Sequence, residues 1–322
     1  MNYEEQQFLN LGKAIMIQGQ SIKQRNGARI TRPNCTMSFD LSNQTIPLIT
    51  TRFTDFRNIK AELLWFLSGS NKVTDLHKLA EQEGAKGKFW DAWALTQEEV
   101  DEWNSQNEFK DLEQEDVGTI GFLYGSVWTG KFESDFSEDC IRQNQIERLI
   151  SEMKENPYDT QHLLTTYCYP AKYDKRTSRA GNVYAGNGVL SPCHGIHVQF
   201  NILPPTEETP YSQLYCLATM RSQDFFVGTP YNIAMYATLA HMVAKCLPNT
   251  QAVELMWVGA NTHIYANQID AVKEQVEREP HDFPVIAFAD KPYNDLTDFG
   301  MQDIKLVNYQ FCSPQIPYPV SP

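Results

Sequence analysis

The sequence predicts an α+β fold, a large sheet packed against one buried central helix. Three observations carry this expectation. Several short β-prone runs alternate with segments of helical spacing, the run 230–247 "PYNIAMYATLAHMVAKCL" is apolar nearly all round, and a hydrophobic content of 42% supplies a sizeable core. A helix with no polar face has to be covered on every side, so it belongs between layers. At 322 residues the chain is long for one domain yet within the range of one large domain with insertions, and a single unit over 1–322 is expected.

Taken in order, "MNYEEQQFLNLGKAIMIQG" spaces its apolar residues as an amphipathic helix and lacks the basic flank and unbroken apolar core of an export signal. "CTMSFDLSNQTIPLITTRF" reads as strand, turn and strand, and "NIKAELLWFLSG" as a helix ended by Gly69. Residues 70–120 form a polar, acidic, helical excursion with a solvated face, and a helix follows near 140–156. "HLLTTYCY" reads as a strand, and a basic Gly/Asn-rich insertion occupies the region near 171–189. "IHVQFNIL" and "SQLYCLATMRS" are strands; the buried helix follows, with Pro230 in its first turn, and "AVELMWVGANTHIYA" is a strand leading to a helix.

Composition narrows function. A net charge of −13 argues against a duplex-coating protein, because non-specific affinity for nucleic acid comes from Lys and Arg displacing counterions. Any anionic ligand should be small and held by a few arginines. No stretch approaches the roughly 18–20 unbroken apolar residues of a membrane span. Seven cysteines without framework spacing fit reduced thiols, and hence a cytoplasmic setting.

Two stretches concentrate chemistry. In "LSPCHGIHVQFNI", Cys193 and His194 lie side by side where a loop turns into a strand, an arrangement open to a thiolate nucleophile, a metal site or a buried structural thiol. Alternation along a strand sends His194 and His197 to opposite faces, and no second Cys/His pair stands at zinc spacing, so no metal is expected. In "MRSQDFFVGTPYN", Arg221 at a strand end offers a bidentate grip on a phosphate, and the Asn232 amide matches a ring that presents an acceptor beside a donor. The plainer alternative is a surface arginine with a helix cap at Thr229 or Asn232.

Together with "RNGA", "FDLSNQTIPLITTR", "ELLWFLSG", "FWDAWA", "FLYGSVW", "THIYANQ" and the tail "IPYPV", these stretches stand in an order that resembles the thymidylate synthase family from about residue 25 to the C-terminus. The resemblance implies covalent cysteine catalysis on deoxyuridylate, with 5,10-methylenetetrahydrofolate as cosubstrate, thymidylate and dihydrofolate as products, and a homodimer built on one sheet face. By motif match, Cys193 is the nucleophile, and Glu62, Tyr124 and His194 form the proton-handling network. Arg25, Arg221 and Ser222 are placed at the phosphate, His263 and Tyr265 at the ribose hydroxyl, and Asn232 at the base. Trp90, Trp93, Asp224, Gly228 and Tyr231 border the folate.

The chain departs from that pattern in four places. Gln161 and His162 replace two arginines that reach the partner's phosphate, and the basic loop with Lys172, Lys175, Arg176 and Arg179 is a candidate to restore the charge. The interval from Cys193 to Gln199 is one residue longer than in the family. Met220 stands where synthases usually carry Gln, and the chain ends "PVSP" where a small apolar residue normally closes over the folate. The last two features point to a second reading, a deoxyuridylate 5-hydroxymethylase that releases tetrahydrofolate, because admission of water decides between the products. A non-catalytic nucleotide- or RNA-binding relative is a third, and a thiol protease is weaker for want of an oxyanion or base arrangement.

Overall fold

The computed structural model describes residues 2–24, 27–106, 114–121, 123–130, 144–167 and 192–317. Arg25, the basic insertion near 171–189 and the terminal "PVSP" lie outside these residues.

The mixed α+β architecture follows from the pattern of burial. Strand β2 (Gly27–Asp40) pairs antiparallel with β1 (Gln20–Gln24) and along most of its length with β7 (Thr250–Tyr265). Beyond β7 come β5 (Ser212–Met220), β4 (His197–Leu203) and the two-residue β3 (Leu163–Leu164), giving the order β1-β2-β7-β5-β4-β3, with β6 (Gln223–Asp224) pairing β7 off this path. β5 and β7 run parallel. Parallel neighbours need a crossover of a dozen or more residues, and the helix Gly228–Lys245 supplies it.

Register places one apolar row after another on the inner face. Phe39, Leu255, Cys216 and Phe200 stand opposite one another across four strands, as do Met37, Trp257, Ala218 and Val198, and all are buried. Against this face lies the crossover helix, buried at every position from Thr229 to Ala244. The opposite face carries Ser38, Met256, Leu217 and Gln199 in one row and Thr36, Val258, Thr219 and His197 in the next, mostly half-exposed. His194 is buried while His197 emerges on this outer face and bonds Gln199, so the two imidazoles diverge.

The helix Phe56–Ser68 brings Glu62 to the site. Asp55 caps it by accepting from the Arg57 amide, and Gly69 ends it at φ 72°. Lys60 anchors it: the buried ammonium donates to the Met301 and Ile304 carbonyls, both at 2.7 Å, and to Glu83 at 2.6 Å, using its three donors at once.

Two expected strands differ. "TIPLITTRF" is largely buried but irregular, with a Leu48 amide to Ile46 carbonyl turn and no ladder beyond a single bridge from Thr45 to Val285. Its backbone is satisfied elsewhere: the buried Glu5 carboxylate accepts the Thr50 and Thr51 amides, the Cys312 amide donates to the Thr50 carbonyl, and the Tyr309 hydroxyl donates to that of Ile49. Within "HLLTTYCY" only Leu163 and Leu164 pair as strand, and its last two residues, Cys168 and Tyr169, lie outside the described residues. Among the described residues no helix is long and apolar enough to cross a membrane.

Candidate active site

The Cys193 loop is tied through its backbone before its side chain does anything. The Cys193 amide donates to the Tyr124 hydroxyl at 3.0 Å, and the Cys193 carbonyl accepts from the Arg221 and Ser222 amides at 2.8 and 3.2 Å. The end of β5 and the loop entering β4 are thereby held together. Arg221 then folds back, its Nε donating to the Pro192 carbonyl at 3.0 Å and its Nη2 lying 3.7 Å from Cys193 Sγ. A guanidinium so placed gives a thiolate a positive neighbour. Gly195, at φ 60°, has no room for a side chain, because a Cβ there would collide with the Tyr236 hydroxyl.

Tyr124 is the counterpart of that loop. Its backbone sits at φ 43° and ψ −99°, a conformation L-residues avoid, immediately before the short helix Gly125–Trp128. The phenol is buried between two rings, stacked on Phe66 at 4.7 Å and on His194 at 4.3 Å. Burial, then the neighbouring Cys193, raises its pKa well above the usual tyrosine range, so it is a neutral hydroxyl at physiological pH. His194 bonds Tyr236 through Nδ1 at 2.8 Å, and burial pushes its pKa down to about 3. Its imidazole is neutral and is directed into this aromatic cluster. The Thr166 hydroxyl donates to the His194 carbonyl, fixing the far side of the turn.

Glu62 and Phe66 are four residues apart on one helix face, which places the carboxyl beside the Phe66–Tyr124 stack. The Trp90 indole, in the short 3-10 helix Lys88–Trp93, donates to Glu62 Oε1 at 2.7 Å. The residue as a whole keeps some exposed surface, yet crowding around the carboxyl dominates: desolvation pushes the Glu62 pKa up to about 7, opposed by the Trp90 bond. Trp93 is half-exposed three residues on.

A second group lies at the start of the buried helix. Asn232 is buried and its Nδ2 donates to Gln223 Oε1 at 3.0 Å. Asp224 Oδ1 accepts the Phe226 and Val227 amides, and Oδ2 accepts from Gln268 at 2.8 Å. The proposed caps are therefore absent as such: Val227 occupies the cap position with no side-chain bond, and Thr229 donates back to the Asp224 carbonyl. Gly228 begins this helix, and Tyr231 is buried with Phe89 edge-on at 5.1 Å. His263, paired with Asp224 between β7 and β6, bonds Asn261 through Nδ1 at 3.2 Å and has Arg29 Nη1 3.5 Å from Nε2. Burial and then Arg29 lower its pKa to about 3, so this imidazole is neutral too. Tyr265 lies edge-on to it at 5.0 Å. Ser222 is half-buried beside Arg221.

The structure thus brings Cys193, Tyr124, His194 and Arg221 together through direct contacts, and Glu62 to Trp90. Sequence reasoning missed Gln223, Tyr236, Thr166 and Arg29. Tyr236 stands one helical turn after Asn232, a spacing that would have found it; Gln223 lay inside a quoted motif without a role. His162 is buried with Nε2 donating to the Asn156 carbonyl at 2.9 Å, and Gln161 is exposed. Among the described residues no cluster of metal-ligating side chains occurs.

A buried aromatic cluster, a thiol under an arginine and a carboxyl near neutrality make a site suited to covalent catalysis on a small anionic substrate. The family profile described as thymidylate synthase matches residues 6–322. The thymidylate synthase of Francisella philomiragia is 33% identical over 94% of this chain and 95% of that protein. That of Saccharomyces cerevisiae is 33% identical over 96% of this chain and 94% of its own, and that of Candida albicans 31% over 99% and 96%. The chain belongs to the thymidylate synthase family.

The Trp90 bond makes a direct prediction. Since it opposes the rise caused by burial, Trp90→Phe should move the Glu62 titration above its present value of about 7. Carboxyl difference infrared spectroscopy, with Glu62→Gln to assign the band, reads the shift; an unchanged or lowered titration would contradict this assignment of causes.

Proposed function

We propose that this enzyme converts deoxyuridylate to thymidylate, with Cys193 as the covalent nucleophile. The observation that carries the reading is the 3.7 Å approach of Arg221 Nη2 to Cys193 Sγ, which sets an anion-holding cation and a nucleophile side by side, as a nucleotide requires. C5 of uracil is a poor nucleophile. Addition of the Cys193 thiolate at C6 converts the ring to an enolate whose C5 is reactive, and the negative charge gathering on O4 needs donors. Asn232 serves that edge, donating an Nδ2–H to O4 and accepting N3–H at Oδ1. Glu62, with a pKa of about 7, is divided between both protonation states at neutral pH and so can hold or take the proton that must leave C5. Neutral Tyr124 and His194 complete the wall without adding charge.

The residues fit a flat folate ring. Trp90 and Phe89 offer partly exposed aromatic surface, with the buried Tyr231 edge-on to Phe89, and Asp224 Oδ2 retains acceptor capacity beyond its bond to Gln268. Methylenetetrahydrofolate supplies the one-carbon unit and the reducing equivalents. Trp90, Trp93, Asp224, Gly228 and Tyr231 would hold it and keep water away from the reacting carbon. The synthase names of the relatives favour the methyl product over the hydroxymethyl one.

Arg221 and Ser222, together with Arg25, would hold the 5′-phosphate, while His263 and Tyr265 would face the sugar hydroxyl. His162 is engaged internally, so the cross-subunit charge of the family is not matched in kind at that position. The half-exposed Leu217, Met256 and Val258 on the outer sheet face suit a homodimer contact, consistent with a family that is generally dimeric.

Incubation with deoxyuridylate and methylenetetrahydrofolate should raise the absorbance that reports dihydrofolate and yield thymidylate by mass, and Cys193→Ser should abolish both. A 5-hydroxymethyl nucleotide without dihydrofolate, or undiminished turnover by Cys193→Ser, would overturn the reading. Light scattering at micromolar concentration should give twice the chain mass; a fully active monomer would contradict the dimer.

A further inference from the structure

The Asn232 carboxamide is nearly symmetric in shape, and its two orientations read different bases. With Oδ1 toward N3 it complements uracil, whose N3 carries a proton beside the O4 acceptor. Rotated by half a turn it complements cytosine, which presents a bare N3 beside an amino group. An asparagine at this position therefore selects a base only if something fixes which end is which.

We propose that Gln223 fixes the orientation of the Asn232 amide and is thereby a specificity-determining, positioning residue for uracil over cytosine. This role for Gln223 rests on the reading of Asn232 given above and extends it. Gln223 is buried, and its two ends face different partners. Nε2 lies 3.4 Å from the Asp224 carbonyl, and Oε1 accepts from Asn232 Nδ2 at 3.0 Å. A backbone carbonyl only accepts, so it calls for the nitrogen end of Gln223. That leaves the oxygen end for Asn232, which must answer with its own nitrogen. One Nδ2 hydrogen is used on Gln223, and the other, on the same edge as Oδ1, remains for the base.

Reversing Asn232 alone would set two amide oxygens against each other. Reversing both amides would set Gln223 Oε1 against the Asp224 carbonyl. Either arrangement leaves buried polar groups unpaired, which is the kind of penalty that produces strong discrimination. The packing leaves room for the relay: a Cβ on Gly228 would fall 2.7 Å from Gln223 Nε2, so the glycine that starts the helix is also what admits this amide. Met220, at the position where synthases of the family usually carry Gln, is fully buried in the sheet core and has no amide to contribute.

The test is a cycle of kcat/KM measurements with deoxyuridylate and deoxycytidylate for the parent, Gln223→Met, Gln223→Glu, Asn232→Ala and the Gln223→Met, Asn232→Ala pair. Gln223→Met keeps the volume and removes both polar ends; it should lower the uracil-to-cytosine ratio by about tenfold, the scale of one net hydrogen bond. Gln223→Glu retains an acceptor for Asn232 and should hold the ratio closer to the parent's. In the Asn232→Ala background the Met substitution should change the ratio no further, which separates orientation of the amide from general damage to the fold. Should Gln223→Met not fold, Gln223→Ala takes its place in the same cycle. An unchanged ratio in Gln223→Met, while Asn232→Ala alters it, overturns the proposal and leaves the Asn232 reading standing. An unchanged ratio in Asn232→Ala overturns the Asn232 reading itself, and the proposal with it.

Discussion

The peptide of Cys193 is the joint on which the site depends. Its N–H is taken by the Tyr124 hydroxyl and its carbonyl by two successive amides, those of Arg221 and Ser222, so both polar groups of one residue are satisfied by separate elements. Each such bond is worth about 0.5–1.5 kcal/mol net. Their combined worth is of the order needed to offset the strained backbone at Tyr124, for which about 1–3 kcal/mol is typical. The strain persists because Phe66 and His194 stack on the ring from both sides and leave the side chain one place to go. Fixing the peptide fixes the sulfur, and folding Arg221 back onto Pro192 brings the cation to it.

Desolvation then sorts the titratable groups into roles. The same burial that lifts Glu62 to about 7 drops His194 and His263 to about 3, so at neutral pH both imidazoles are uncharged and one carboxyl is poised between states. Under the proposed mechanism, that leaves Glu62 as the group near neutrality to carry the proton. A charged His194 in the Tyr124 stack would compete with that arrangement, and its enclosure by Phe66, Tyr124 and Tyr236 prevents it. The overall charge of −13 fits the same pattern: positive charge is scarce, and the described part of the site places Arg221 at Cys193 and Arg29 at His263.

Much of this was legible in the amino-acid order. Strand alternation in "IHVQFNIL" and "SQLYCLATM" and the all-apolar helix correspond to β4, β5 and the buried crossover, because burial on one face or on all faces leaves a periodic trace. "TIPLITTRF" has strand composition without strand pairing, since its partners are the Glu5 carboxylate and loop groups far away in sequence, which no local pattern encodes. At the site, motif order singled out Cys193, Glu62 and Asn232 as candidates. What it could not convey was direction: that His194 is directed into an aromatic cluster, that His162 is buried on the Asn156 carbonyl, and that Gln223 serves Asn232. Those facts depend on where side chains end, three or more bonds from a backbone the pattern does describe.

The central claim is that Cys193 forms the bond to C6 of the pyrimidine, and a substrate that stalls after that bond tests it most directly. 5-Fluoro-deoxyuridylate carries fluorine where a proton must leave C5, so with methylenetetrahydrofolate present the covalent complex should accumulate instead of turning over. Intact-protein mass spectrometry should show the mass of both ligands added, and peptide mapping should place the bond on Cys193. An unmodified chain under saturating ligand, or an adduct mapped to another cysteine, would contradict the account.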